Sequence, residues 1–305
     1  PPFDSYHLPG YHMVARGQGE GEPYLFVFED QGRCAALPFL RRPVAEVEGL
    51  SDCDGFDAVS AYGYPGVVTD AREHDPRAET FRRRFQDALG EVLDEVNVVS
   101  LFIRQNPLIR TSWLLAPMAE VSTLGPTVAI DLARPQEDQL SQFRNNHRRD
   151  VRRARREGVG VREDADLGRI QLFREIYLQT MDRAGAAAYY HFTRQYFNSL
   201  RRNVGRQLKL FFSEQDGRVI SGGLFLVAGD IIQYHLGGTA TDGLKCRGAF
   251  KLLFDEVRKW GTENGARWLH LGGGTGARQD SLFHFKSGFS QVRFSFQTAK
   301  MVLRP

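Results

Sequence analysis

The chain has 305 residues, a formal net charge of +3 at pH 7, 42% hydrophobic and 25% charged residues. This is the composition of an ordinary soluble globular protein, long enough for two domains. No apolar run approaches the roughly twenty residues that span a bilayer, so no membrane-spanning helix is expected.

The start, Pro1-Pro2-Phe3-Asp4, lacks the basic and apolar regions of a signal peptide. Cys34, Cys53 and Cys246 lie far apart with no Cys-x-x-Cys pair. That argues against a zinc site or a disulfide framework, and a cytoplasmic location without membrane insertion is expected.

In chain order, residues 1–23 read as loop, rich in Pro and Gly. Residues 24–28 and 33–40 read as strands joined around Asp30-Gln31-Gly32. Residues 58–62 form a short strand that runs into the rigid aromatic turn Tyr62-Gly63-Tyr64-Pro65-Gly66. Phe81, Phe85, Leu89, Val92, Leu93 and Val96 recur at helical spacing, so residues 78–96 make an amphipathic helix. A buried strand, 98–103, ends at Asn106-Pro107, and a strand at 127–131 follows Gly125-Pro126. Alternating strands and helices mark an α/β or α+β fold.

Residues 135–158 read as one helix with a narrow apolar stripe of Leu140, Phe143, His147, Val151 and Ala154. Seven arginines, Arg144, Arg148, Arg149, Arg152, Arg153, Arg155 and Arg156, hold the other faces. Arg144, Arg148 and Arg152 are four apart and share one side. A solvated helix linking two domains would also carry such a run. The shortage of neighbouring acids, only Asp150 and Glu157, favours phosphate contact, because arginine holds phosphate in a fixed geometry. RNA or a nucleotide is the partner this implies.

After Gly158 come helices at 167–181 and 193–204, then strands at 208–213, 219–227 and 231–236. Gln215-Asp216-Gly217 and Gly229-Asp230 are the hairpin turns. A helix at 249–264 and a buried strand at 268–271 follow. The chain then meets four glycines within five positions, Gly272, Gly273, Gly274 and Gly276. It restarts as a helix capped by Asp280, with Leu282, Phe283, Phe285 and Phe289 near helical spacing. A strand, a glycine turn and a helix start bare backbone N–H groups to a ligand. A tight turn alone needs fewer glycines, and a lone cation, Lys286, follows among aromatics. A last strand covers 291–302.

Two helices, an antiparallel meander, a long helix, a strand, a short helix and a strand give the element order of a GNAT-type acyltransferase domain. In that type two central strands splay apart and acyl transfer occurs in the gap. Here the gap would lie beside residues 234–238, opposite 268–274. Acetyl-CoA enzymes of the type carry [Arg/Gln]-x-x-Gly-x-[Gly/Ala] before the long helix. The equivalent stretch, 241–250, keeps Gly248 but has Lys245 and Phe250 at the pattern's ends. Crowding at that helix start makes coenzyme A the weaker donor.

The sequence also resembles the FemABX group of aminoacyl-tRNA-dependent peptidyltransferases, built from two GNAT-like domains. The resemblance covers most of the chain. It is carried by the basic stretch from Phe143 to Ala154 with Gly158-Val159, by His270-Leu271-Gly272-Gly273-Gly274, and by the stretch from Asp280 to Phe289. The ending Phe285-Lys286-Ser287-Gly288-Phe289 is the most specific part, and the turn at residues 62–66 is a weaker match.

The resemblance implies tandem GNAT-like domains with a cleft between them. Residues 1–140 would form the acceptor side and 141–305 the donor side, with a basic linking helix at 136–158 and a last strand that packs back on the first domain. The sequence holds no sustained heptad run, so no coiled-coil arm is expected. The implied reaction moves an amino acid from its tRNA ester to an amine on a peptidyl acceptor. That acceptor is a peptidoglycan precursor or a peptidyl natural product. Aminoacyl-tRNA is a co-substrate, and no further cofactor or metal is implied.

Lys286 would be the cation near the reacting carbonyl or the terminal ribose phosphate, and Phe285 would stack on the terminal base or shape the pocket. Gly272, Gly273 and Gly274 would let the donor approach the backbone. Arg144, Arg148, Arg149, Arg152 and Arg153 would contact tRNA. Tyr62, Tyr64, Arg104, Tyr234 and His235 would meet the acceptor. Two other readings stay open: an acyl-CoA-dependent N-acyltransferase, and a nucleic-acid-binding protein without catalysis. The last has no use for the glycine run or Lys286.

Overall fold

The periodicities noted above become regular elements in a computed structural model that describes residues 1–304. The chain divides into one unit of Pro1–Pro126 together with the chain from Phe294 onward, and a second of Thr127–Arg293.

The first unit opens with α1 (Pro9–Gly17), where a loop was expected. Proline at the first helical position costs no hydrogen bond, and the helix buries Tyr11, Val14 and Ala15 on one side. Next come β1 (Glu22–Asp30), β2 (Arg33–Pro43), β3 (Phe56–Val59), the two-residue β4 (Val68–Thr69), α2 (Ala78–Glu95) and β5 (Val98–Arg104). β6 (Glu120–Asp131) carries the chain into the second unit. The division therefore falls inside this strand, at 126/127, and not at 140/141. β1 and β2 form a hairpin; β2 pairs with β3 and β4, and β3 lies parallel to β5. Phe81, Phe85, Leu89 and Leu93 of α2 pack into a core with Leu37, Phe39, Leu101 and Ile103.

The second unit begins with α3 (Gln136–Ser141) and α4 (Asn145–Arg156), two helices where one was expected. The break is at Arg144, whose backbone is extended (φ −55°, ψ 149°). Its N–H leaves the helical ladder and donates to the Gly288 carbonyl at 2.8 Å. Then follow β7 (Gly160–Glu163), α5 (Ile170–Ala184), α6 (Arg194–Val204), β8 (Leu208–Gln215), β9 (Arg218–Ala228), β10 (Ile231–Thr239), α7 (Ala249–Glu263), β11 (Trp268–Gly272) and α8 (Ser281–Lys286). β7 has no counterpart in the sequence reading.

β7, β8, β9 and β10 form an antiparallel run; β10 is parallel to β11, and β11 is antiparallel to β6. Phe225, Leu253, Phe254, Val257, Leu269, Leu271 and Phe289 fill the core beneath. Finally β12 (Arg293–Val302) returns to the first unit, antiparallel to β5 from Thr298 opposite Arg104 to Val302 opposite Ser100.

Candidate active site

The parallel pairing of β10 with β11 is short. It runs from Ile231 opposite Trp268 to Gln233 opposite His270, and there it stops. β10 carries an irregularity between Tyr234 and Leu236, and β11 one between His270 and Gly272. The two strands thus part at Tyr234 on one side and Gly272 on the other. Gly272 has φ +75°, which lets the chain leave the sheet without a side-chain penalty.

The loop that leaves β11 is built around Asp280. Its carboxylate accepts from the N–H groups of Thr275 (3.0 Å) and Phe283 (2.9 Å), so it closes the loop and caps α8 together. Burial pushes this carboxyl up, but the backbone N–H groups outweigh it and hold the group below the usual carboxylate range. A Cβ at Gly274 would stand 2.1 Å from the Arg278 carbonyl and 2.3 Å from the Asp280 carboxylate. Glycine is required there by packing.

α8 then delivers Lys286 into the parting of the strands. The side chain is 8% exposed. Its Nζ donates to the Gly273 carbonyl at 2.8 Å and lies 5.5 Å from the centre of the Tyr234 ring. The ammonium therefore bridges the strand that ends at Tyr234 and the loop that leaves β11. Desolvation brings its pKa from 10.5 down to about 8, with a smaller opposing pull from Asp280. At pH 7 such a group is about nine-tenths protonated. An ammonium carries three donors, and Gly273 takes one. A desolvated cation with donors to spare can stabilise a developing oxyanion.

Phe285 packs against the core of the second unit. Its half-buried ring packs against Phe289 (5.3 Å between centres), Phe254 (6.1 Å), Phe250 (6.3 Å) and the His147 imidazole (5.6 Å).

α4 clamps α8 from outside. Arg144 donates to the His284 ring (2.8 Å), the His284 carbonyl (3.1 Å) and Ser287 Oγ (2.6 Å). His147 Nε2 donates to the Phe285 carbonyl at 3.0 Å. A Cβ at Gly288 would lie 2.3 Å from that Nε2, so this glycine makes room for the imidazole. Burial first, and the Lys251 charge next, lower the His147 pKa to about 4, so the ring is neutral at physiological pH. The basic segment and the Phe-Lys-x-Gly-Phe segment are thus one structural piece.

The arginines of α4 differ in their partners, and Arg155 is both ion-paired and at the groove. Arg155 is paired with Asp255 (2.5 Å) and Glu256 (2.6 Å) of α7, and Arg153 with Glu157 (2.7 Å). Arg148, Arg149 and Arg152, with Arg155 and Arg156, line an open groove of about 670 Å³. A second concavity, of about 420 Å³, adjoins it through Asn145 and Arg148 and reaches Arg144 and Ser287. Four of the five predicted RNA contacts, all but Arg153, therefore border these grooves.

His235 is buried and hydrogen-bonded to the Tyr196 hydroxyl at 2.7 Å. Burial lowers its pKa to about 3. A conjugate acid that strong makes the ring a poor acceptor for an ammonium proton. Tyr62, Tyr64 and Arg104 belong to the first unit. Tyr64 packs edge-on to Tyr6 and Phe296, and Arg104 donates to the Ser60 carbonyl at 3.1 Å. A Cβ at Gly63 (φ +101°) would stand 2.4 Å from the Tyr6 ring, which fixes the shape of this turn. Residues that sequence reasoning did not single out are Ser287, Gln142 and Arg293, which border the smaller concavity.

The parted parallel strands, the long helix α7 and the capped α8 define a GNAT acyltransferase fold, and residues 141–287 match the family model described as the acetyltransferase (GNAT) domain. The whole chain has a FemABX-like tandem GNAT fold. Its similarity to the crystal structure of FemX has a TM-score of 0.75 at 14% identity, covering 99% of this chain and 93% of that one. The C-terminal domain of a putative lysylphosphatidylglycerol synthetase from Agrobacterium fabrum is similar at TM-score 0.57 and 14% identity, over 95% of this chain and 86% of that one. A tandem GNAT protein from the clavulanic acid biosynthesis pathway gives TM-score 0.50 and 12% identity, over 98% and 90%. No curated protein matches the sequence. Among the described residues no helix is long and apolar enough to cross a membrane.

Proposed function

We propose that this protein is an aminoacyltransferase that moves an amino acid from aminoacyl-tRNA to the amino group of a peptidyl acceptor. The acceptor is a peptidoglycan precursor or a peptidyl natural product, and the reaction runs in the cytoplasm. The observation that carries this reading is Lys286, a desolvated ammonium held in the parting of β10 and β11 by Gly273. The FemX-like fold supports it, and so does the arginine groove fastened to the same short helix by Arg144.

The chemistry asked of the chain is modest, because an aminoacyl ester is already activated. The acceptor nitrogen bonds to the ester carbonyl carbon, and the bond from that carbon to the ribose oxygen breaks. The proton lost by the amine ends on the ribose hydroxyl. Lys286 stabilises the oxyanion formed between these events, and the glycine-walled loop at 272–274 admits the ester. Tyr234, beside the ammonium, borders the acceptor amine's approach.

An acyl-CoA donor would suit the same fold. What weighs against it is the start of α7: the Asp150 carbonyl of α4 packs there, 2.4 Å from where a Cβ of Gly248 would be. α4 thus packs closely against the start of α7, where a pyrophosphate would have to bind. The test is a reconstituted reaction with total charged tRNA and a panel of peptidyl acceptors, with acetyl-CoA as the alternative donor. RNase should abolish transfer; turnover with acetyl-CoA that resists RNase overturns the reading.

A further inference from the structure

Two guanidinium groups converge on one residue at the foot of α8. Arg144 donates to Ser287 Oγ at 2.6 Å, and Arg293 reaches the Ser287 carbonyl at 3.5 Å. The other hydrogen bonds of Arg293 go to the carbonyls of Ser290 (2.7 Å) and Val292 (2.8 Å). Those of Arg144 go to the ring and carbonyl of His284. None of these acceptors is a carboxylate, and among the described residues neither arginine has an ion-pair partner. Burial first, and the charge of Arg144 next, hold the Arg293 guanidinium below the usual arginine range.

Like charges set this close repel, and a protein holds them there at a cost unless an anion sits between them. Both border the concavity of about 420 Å³, and its wall holds a further donor. The carboxamide oxygen of Gln142 accepts from Ser290 Oγ (3.1 Å) and the Gln291 N–H (3.3 Å). Its Nε2 is left without a hydrogen-bond partner among the described residues. Two forked cations and an amide donor around one small space suit a tetrahedral oxyanion, while the Ser287 hydroxyl donates to the His284 carbonyl (2.9 Å) and seats Arg144.

We propose that the concavity bounded by Arg144, Arg293, Ser287 and Gln142 binds a single phosphate group. On the aminoacyl-tRNA reading above, on which this assignment rests, it is a phosphodiester of the donor's single-stranded 3′ end. Ser287 directly follows Lys286, so the phosphate site and the ammonium are carried by one short segment. The groove along Arg148, Arg149 and Arg152 takes the more distant backbone. The same chemistry would fit a phosphoryl group of the acceptor, and the kinetic arms below separate the two sources.

The first test needs no RNA. Inorganic phosphate titrated into the full-length protein and followed by NMR should bind, and Arg293→Gln should weaken it by roughly tenfold or more. Absence of binding, or equal binding to both proteins, overturns the site. If the glutamine variant does not melt like the wild type, Arg293→Lys replaces it. That variant keeps the charge and loses the fork, so a several-fold weakening is still required. In the kinetic arm, Arg293→Gln should raise KM more for aminoacyl-CpCpA than for aminoacyl-adenosine, which has no phosphodiester. Equal penalties overturn the donor assignment, and a rise confined to the acceptor's KM gives the phosphate to the acceptor. Phosphate binding at Arg293 with activity that resists RNase leaves this site standing and removes the aminoacyl-tRNA reading.

Discussion

Replacing Lys286 with methionine should make the protein more stable while removing its activity. The ammonium is buried, and its pKa falls from 10.5 to about 8. That difference corresponds to about 3 kcal/mol of penalty for keeping the charge in the fold. Methionine has a similar length and no charge, so Lys286→Met removes the penalty. It also removes the hydrogen bond to the Gly273 carbonyl, a loss of about 1 kcal/mol. The net gain below pH 8 is therefore about 2 kcal/mol, or several degrees in Tm.

The pH dependence has a fixed sign. Below about pH 8 folded and unfolded chains both hold the proton, and the penalty is complete. Between about pH 8 and 10.5 the folded chain has released a proton that the unfolded chain still binds, so wild-type stability rises with pH. Above 10.5 both are neutral and the advantage of methionine is gone. Thermal melts of the two proteins from pH 6.5 to 10.5 measure this directly. A methionine variant less stable than wild type at pH 7, or a gap that does not narrow above pH 8, refutes a desolvated ammonium at this position.

Two further outcomes follow from the clamp between α4 and α8. Gly288→Ala drives a methyl group into the His147 ring, which is held by the Phe285 carbonyl and by Phe289 at 4.6 Å. Overpacking of this kind should cost about 1–3 kcal/mol in denaturant melts, and transfer should fall with it as α8 loses its seat. Reversing Arg148, Arg149 and Arg152 to Glu should raise KM for aminoacyl-tRNA. It should also flatten the fall of log binding constant with log salt by about two units or more. An unchanged salt slope takes RNA away from this groove.

Much of the fold is legible in local pattern. The α2 and α7 stripes, the hairpin turns between β8, β9 and β10, and Asp280 as the cap of α8 all depend on residues within a few positions of one another. What is not legible is set by distant contacts. No glycine or proline marks the break between α3 and α4; it exists because Arg144 turns its N–H to Gly288. β7 has only four residues and no fully buried position, so its alternation is too weak to register. α1 is hidden by Pro9 and Gly10, which read as loop although proline fits a helix start.

The site divides in the same way. Lys286 and the glycine run stand out in the sequence, and the structure puts them in contact. Phe285 stands out too, but its ring is taken up by the aromatic core. The convergence of Arg293 with Arg144 on Ser287 joins residues nearly half the chain apart, and no spacing rule connects them.

The proposed reaction depends on one ammonium, lodged where two strands separate, acting on an ester delivered by RNA. Single-turnover transfer from purified charged tRNA to a peptidyl acceptor, compared between wild type and Lys286→Met, tests it most directly. Wild type should give a peptide-bonded product. With methionine the chemical step should slow by roughly 10²–10³-fold, while tRNA affinity stays close to that of wild type. Equal single-turnover rates for the two proteins, or a wild type that ignores charged tRNA and acylates the acceptor from an acyl-CoA, contradict it.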